Sequence, residues 1–192
     1  IDSSTFSNNS IGVGLDFQSN STGNIQITNS WFRNNIYGIS GTEHADATNS
    51  FFCGNQKAIY VERGIYDNCV VTNNSIGISC SNENAITIIN STIAMNDTGI
   101  VLSSNNYEVS YIHQNDICSN LNFNVVHTGS YNEDLTNNCW CDTNVSNIAS
   151  KIYDGYDNVS LGLIDFAPLI NCNTSVLSTI ENCDNISGIN EQ

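Results

Sequence analysis

The stretch Asn68-Cys69-Val70-Val71-Thr72-Asn73-Asn74-Ser75-Ile76-Gly77-Ile78-Ser79-Cys80 recurs along the chain. With Val71 as anchor, equivalent anchors are Phe6, Phe32, Phe52 and Ile93, at successive steps of 26, 20, 19 and 22 residues. Three residues after each anchor stands Asn9, Asn35, Asn55, Asn74 or Asn96. Six after it comes Gly12, Gly38, Ala58, Gly77 or Gly99, and seven after it Val13, Ile39, Ile59, Ile78 or Ile100. Two before it stand Ser4, Ser30, Ser50, Cys69 and Ser91, and three before it Asn29, Asn49, Asn68 and Asn90. A period near twenty residues marks a solenoid, whose units cannot bury their own inner faces and must stack.

Within each copy the apolar residues alternate with period two, as in Ile59 and Val61 or Ile78 and Cys80, which is a strand with one buried face. The Asn three residues past the anchor is read as the turn, because Asn tolerates the left-handed backbone region and stacked amides can hydrogen-bond between coils. The expected fold is all-β: a right-handed parallel β-helix of about six to seven coils. Residues 1–170 form the solenoid with its closing rung and cap, and 171–192 a C-terminal tail. The first coil starts without a cap, so either the chain is a mature or trimmed fragment or its first coil is covered by another molecule.

Charge narrows the partners. Four Lys and Arg against nineteen Asp and Glu give a net charge of −15, and Arg33, Lys57, Arg63 and Lys151 form no basic footprint for nucleic acid. No apolar run approaches the roughly 20 residues of a membrane span. Eight Cys and nine Asn-x-Ser/Thr sequons give the chain an extracellular or cell-surface character, although nine is a weak excess in so Asn-rich a chain. Asn20, Asn144, Asn158, Asn173 and Asn185 are the glycosylation candidates; Asn90, in a predicted interior ladder, and Asn96, in the turn ladder, are not. Cys69 and Cys80 fall on inward positions as buried thiols or small core residues. Cys53 and Cys118 point outward, too many coils apart to bond each other. Cys53, Cys118, Cys139, Cys141, Cys172 and Cys183 are the disulfide candidates, with fifteen pairings open.

A sixth copy is anchored on Ile117 with Asn120 in its turn, and Phe123 stands where the small residue belongs. It opens the run Asn115-Asp116-Ile117-Cys118-Ser119-Asn120-Leu121-Asn122-Phe123-Asn124. There follow Thr136-Asn137-Asn138-Cys139-Trp140-Cys141, Ile152-Tyr153-Asp154-Gly155-Tyr156-Asp157 and the stretch Leu161 to Leu169. These segments resemble the end of the NosD-like, pectin-lyase-like right-handed β-helix repeat proteins, secreted or of surface-layer type. In that family the last rungs read Asn-Asn-Tyr-Trp-Gly before a short helix, a Tyr-Asp turn and a closing strand. Cys139 and Cys141 depart from it by replacing the aromatic and the Gly that flank the family's Trp. A capping helix is expected over residues 145–153, with Val145, Ile148 and Ile152 on one stripe and Asp142 to Asn144 at its start. Cys172 and Cys183 read as a staple for a tail with no core of its own.

The resemblance also implies where catalysis would show: a row of carboxylates on one outward face, with a cationic base. The outward positions, Ser7, Arg33, Cys53, Thr72 and Ala94 after the anchors, carry no such row. Glu133, Asp134, Asp154 and Asp157 fall in loops as solvated acids. The group Glu43, His44 and Asp46 is likewise read as solvated, and no metal site or cofactor is expected; Ca2+ is an alternative, and metal binding by Cys139-x-Cys141 is a weaker option because zinc pairs usually have two or more intervening residues. The leading expectation is therefore a non-catalytic structural subunit of an extracellular assembly, a homo-oligomer or polymer such as a surface layer, sheath or filament. Trp31, Phe51 and Val70 are its interface stripe, and a disulfide between subunits would suit it. The alternative is a carbohydrate-binding or carbohydrate-processing protein of lyase or epimerase type, with Trp31, Tyr37, Tyr60 and Tyr107 as platforms for a polysaccharide.

Overall fold

The computed structural model describes residues 1–15, 24–41, 44–80, 86–103, 110–173 and Cys183. It is a parallel β-solenoid of about five turns whose walls are three sheets. The first sheet stacks Thr5–Ser7, Trp31–Arg33, Phe51–Cys53, Val70–Thr72, Thr92–Ala94 and Asp116–Cys118. The second stacks Ile11–Leu15, Tyr37–Gly41, Lys57–Val61, Ile76–Cys80, Thr98–Leu102, Phe123–His127 and Ile152–Tyr153. The third stacks Asn24–Thr28, His44–Thr48, Gly64–Asp67, Ile86–Ile89 and Tyr111–His113. Five coils contribute to all three walls; the sixth lacks the third-sheet strand, so the body is shorter than the repeat count implies.

The anchors stack in register: Phe6, Phe32, Phe52, Val71, Ile93, Ile117. The rings of Phe32 and Phe52 stack with nearly parallel planes, their centroids 4.7 Å apart. Val13, Ile39, Ile59, Ile78, Ile100, Val125 and Ile152 form the facing column, and Ile27, Ala47, Tyr66, Ile88 and Ile112 the third. All of these but Phe6, which packs partly buried on the core, are buried, and Cys69 and Cys80 join them there as thiols.

The turns differ from expectation in one instructive way. The residues in the left-handed region are those one before the ladder Asn: Asn8, Asn34, Gly54, Asn73, Met95 and Ser119. A second set sits three before the anchors: Ser3, Asn29, Asn49, Asn68, Asn90 and Gln114. This second set runs along the outside, where Asn68 Nδ2 donates to Asn49 Oδ1 and Asn90 Nδ2 to Asp67 Oδ1, so Asn90 is exposed and not interior. The ladder Asn itself is buried. Asn35, Asn55, Asn74 and Asn96 each donate both the backbone N–H and Nδ2 to Oδ1 of the Asn one coil on, at 2.8–3.1 Å. Nδ2 also donates to the anchor carbonyl of the preceding coil, as from Asn55 to Phe32 O at 3.0 Å. A shorter ladder runs through Ser30, Ser50, Ser91, Asn115 and Asn138 at the position two before the anchor, with Cys69 substituting a thiol bonded to Ala47 O.

At the end, strand pairing overrides the predicted helix. The helix covers only Val145–Ala149, capped by Asn144 Oδ1, and Val145 is 60% exposed, leaving Ile148 as its buried contact. Ile152–Tyr153 instead pairs with Val125–Val126, because an open sheet edge offers the backbone more hydrogen bonds than another helical turn. The sixth coil carries one extra residue in its turn, since Thr98 pairs with Phe123. Phe123 thus lies on the outer ladder, and Asn124 takes the small-residue slot, where its Oδ1 accepts from Asn120 Nδ2 and terminates the Asn ladder. Leu135, Trp140, Ile148, Ile152 and Ile164 close the core.

Removing the amide in mid-ladder tests this account. Asn74→Ala leaves the N–H and Nδ2 of Asn55 and the Phe52 carbonyl without their partners, so unfolding by denaturant should show a loss of roughly 3 kcal/mol.

Candidate functional site

The outer face of the first sheet gathers most of the unusual chemistry. Its ladders read Trp31, Phe51, Val70, Thr92, Asp116 and Arg33, Cys53, Thr72, Ala94, Cys118. Trp31, Phe51 and Val70 are therefore aligned as an apolar stripe. However, Phe51 is only 1% exposed, and Cys53, Thr72, Ala94 and Cys118 are fully buried although they lie outside the solenoid core. The stripe is thus closed at its centre and not a free interface. Trp31 is engaged too: the Phe51 ring lies 4.7 Å from it and the Arg33 guanidinium 4.2 Å over it.

The tail is pinned to this face near its start and again at Cys183. Cys172 bonds Cys139, Asn173 N–H donates to both oxygens of Asp116, and Cys183 bonds Cys53 three rungs back. Burial raises the Asp116 carboxyl, and the Asn173 N–H opposes it. The third bridge is Cys118–Cys141, so all six candidate cysteines pair within the chain. Cys139 and Cys141 flank buried Trp140, so alternation turns both away from the core. Four sulfurs consequently meet at the rim: Cys139 Sγ to Cys141 Sγ is 3.9 Å and Cys172 Sγ to Cys141 Sγ 3.6 Å, and Cys141 N–H donates to Cys139 Sγ at 3.2 Å. A cleft of about 650 Å³ opens beside them. Nothing in the repeat pattern could have located this cluster, because Cys172 lies outside every copy. Cys69 and Cys80 differ in kind: burial pushes each thiol up to about 12, which leaves them protonated core groups and not nucleophiles.

The third sheet carries a polar knot. Asp46 accepts from His44 Nε2 at 2.6 Å and Ile65 N–H at 2.7 Å on one oxygen, and from Asn24 at 3.0 Å and Gln26 at 2.6 Å on the other. Burial raises its carboxyl, but the bonds from Asn24, Ile65, His44 and Gln26 outweigh it and hold the group below the ordinary range. The acid is occupied by protein donors, neither solvated nor open to a metal ion; Glu43 lies outside the described residues. Other acids expected in solvent are also engaged. Glu133 is buried and accepts from Ser110 N–H, and Asp154 accepts from the N–H groups of Tyr156 and Ile164 to fold the closing turn.

The second sheet is different in character. Its outer ladders read Ile11, Tyr37, Lys57, Ile76, Thr98, Phe123 and Ser40, Tyr60, Ser79, Val101, Val126, Tyr153. Apart from buried Ser79 and from Ile11, which is 46% exposed, they are half-exposed, and Lys57 is the only charge. Lys57 Nζ lies 4.2 Å over Tyr60 and 5.8 Å from Tyr37. Of the glycosylation candidates, Asn144, Asn158 and Asn173 are exposed, while Asn20 and Asn185, like Tyr107, lie outside the described residues.

Comparisons with protein-family models, with curated proteins and with solved structures return no match. The class is accordingly defined by the structure itself: a parallel β-solenoid closed by disulfides near its C-terminal end. No helix among the described residues is long and apolar enough to cross a membrane.

Two outcomes follow. Cys183→Ser leaves Cys53 without its bonded partner, so under denaturing, non-reducing conditions a thiol reagent should titrate three thiols where the parent shows two, Cys69 and Cys80. Asp46 contributes stability that is present above the unfolded carboxylate value of about 3.9 and is lost as pH falls through its lower folded value. Asp46→Asn should therefore flatten the acid limb of a stability-against-pH curve below about pH 4.

Proposed function

We propose that the chain is a non-catalytic structural subunit of an extracellular assembly, a surface layer, sheath or filament in which solenoids lie side by side. The observation that carries this reading is the outer face of the second sheet: seven strands wide, half-exposed, rich in Tyr, Val, Ile and Phe, and bearing one charge among the described residues. Surface patches of that kind are covered in the working state of a protein. The chain's net charge of −15 leaves this face as the charge-poor side along which like molecules can meet. Three disulfides are in keeping with secretion, and the resemblance of the closing rungs points to a secreted or surface-layer member of the NosD-like repeat proteins.

The contact differs from the one the sequence pattern offered. It is non-covalent, because the six outer cysteines are satisfied inside the chain, and it uses the second sheet because Phe51 on the first is covered. A polysaccharide platform is the weaker alternative. A sugar needs a bare aromatic face, whereas Arg33 lies over Trp31 and Lys57 over Tyr60.

Electron microscopy and sedimentation of the native material test the proposal. Ordered particles larger than one chain are expected, unaffected by oxidant. In Val101→Asp with Val126→Asp, they should fall apart to monomers, with thermal stability within about 1 kcal/mol of the parent because both side chains point outward. A monodisperse monomer of the parent chain would overturn it.

A further inference from the structure

The four sulfurs at the rim are closer to one another than two separate staples require. Cys118 ends the last first-sheet strand, Cys139 pairs beside Asp116 on the same outer face, Cys141 follows two residues on in the left-handed region, and Cys172 arrives from the tail. Across the two bonded pairs, the sulfurs of Cys139 and Cys172 lie 3.9 and 3.6 Å from that of Cys141. A zinc ion held by four thiolates at about 2.3 Å sets its sulfurs about 3.8 Å apart. These two separations are already those of a tetrahedral tetrathiolate, and the sulfurs of Cys118, Cys139 and Cys141 all lie within 4.8 Å of one another.

Three further features fit the same chemistry. Cys141 N–H donates to Cys139 Sγ, the kind of backbone donor that stabilises a metal-bound thiolate. The Asp116 carboxylate lies within reach of Cys139 and Cys172, adding negative charge beside the sulfurs. Access is provided by the cleft, lined by Cys139, Cys141, Asp142, Leu169 and Cys172.

From this geometry we infer that Cys118, Cys139, Cys141 and Cys172 form a binding site for one zinc ion in the reduced chain, of which the Cys118–Cys141 and Cys139–Cys172 disulfides are the oxidised form. The chemistry balances with a phosphine as reductant. Each disulfide takes two electrons and becomes two thiols while water and the phosphine yield the phosphine oxide; the four thiols then release their protons as zinc binds. A peroxide reverses it, re-forming each S–S bond with loss of the ion and reduction of the peroxide to water. Either state fastens the same three elements, the sixth coil, the Cys139–Cys141 rung and the start of the tail.

The experiment uses the full chain, reduced with a phosphine under argon and titrated with Co2+, whose thiolate charge-transfer and tetrahedral ligand-field bands report the ligand set. The expected result is saturation at about one equivalent, displacement of the bands by Zn2+, and strand circular dichroism retained throughout. Cys53→Ala with Cys183→Ala should bind as the parent does. Cys141→Ser and Cys172→Ser should each lose thiolate band intensity and bind at least roughly tenfold more weakly. The inference is overturned if the reduced parent gives no thiolate bands, or if they persist with unchanged affinity in both single variants. Bands that appear only in a chain that has lost its strand signal would overturn it equally.

Discussion

The buried Asn ladder is the constraint from which the rest of this solenoid follows. A narrow rod must turn three times per coil, and every turn brings backbone N–H and C=O groups next to the core, where an unpaired one is costly. One Asn per coil answers this by accepting two bonds on Oδ1 and donating from Nδ2 to the neighbouring coils, so that each coil completes its neighbour. The ladder also dictates its surroundings. A Cβ on Gly77 would meet the Gly99 carbonyl at 2.5 Å and Asn96 Nδ2 at 3.3 Å, which is why that slot is held by small residues in the regular coils. The residue before each ladder Asn must turn left-handed, and Asn or Gly fills it in four of six coils.

A stack of this type must also end, and the C-terminal side shows how. The ladder finishes on Asn124, and Lys151 Nζ donates to the carbonyls of Leu121, Asn120 and Asn122 in the last turn. Trp140 and Phe166 meet edge-on at 6.1 Å over the closing core. Two of the disulfides act where the repeat no longer does, tying the sixth coil, the closing rung and the start of the tail, and the third ties the tail back to Cys53 in the third coil.

The three walls then have different outward roles. The first is bound by the tail's anchor points and encloses Phe51; the third holds a polar knot around Asp46; the second stays open and apolar. Function on a solenoid is carried by such faces, because the interior is the same column of stacked side chains at every level.

The repeat itself was legible in the chain, since the Phe6 to Ile117 anchors, the Asn ladder and the period-two alternation are local patterns repeated about every twenty residues. They determined the parallel solenoid and the inward column from Val13 to Ile100, because a coil that cannot bury its own face has only its neighbours to pack on; Val125 joins that column only through the extra residue in the sixth turn. Which residue turns left-handed was not legible, because adjacent Asn such as Asn73 and Asn74 look alike until one is buried. Nor was the fate of the outward residues. Phe51, Cys53 and Cys118 face away from the core by alternation, yet all three are buried, and the cysteines that bond Cys53 and Cys118 lie outside the copies. Asp46 and Glu133 read as solvated acids until sequence-distant donors reach them. The four sulfurs at the rim come from three segments up to 54 residues apart, a proximity that coil stacking and the path of the tail create and no spacing in the sequence encodes.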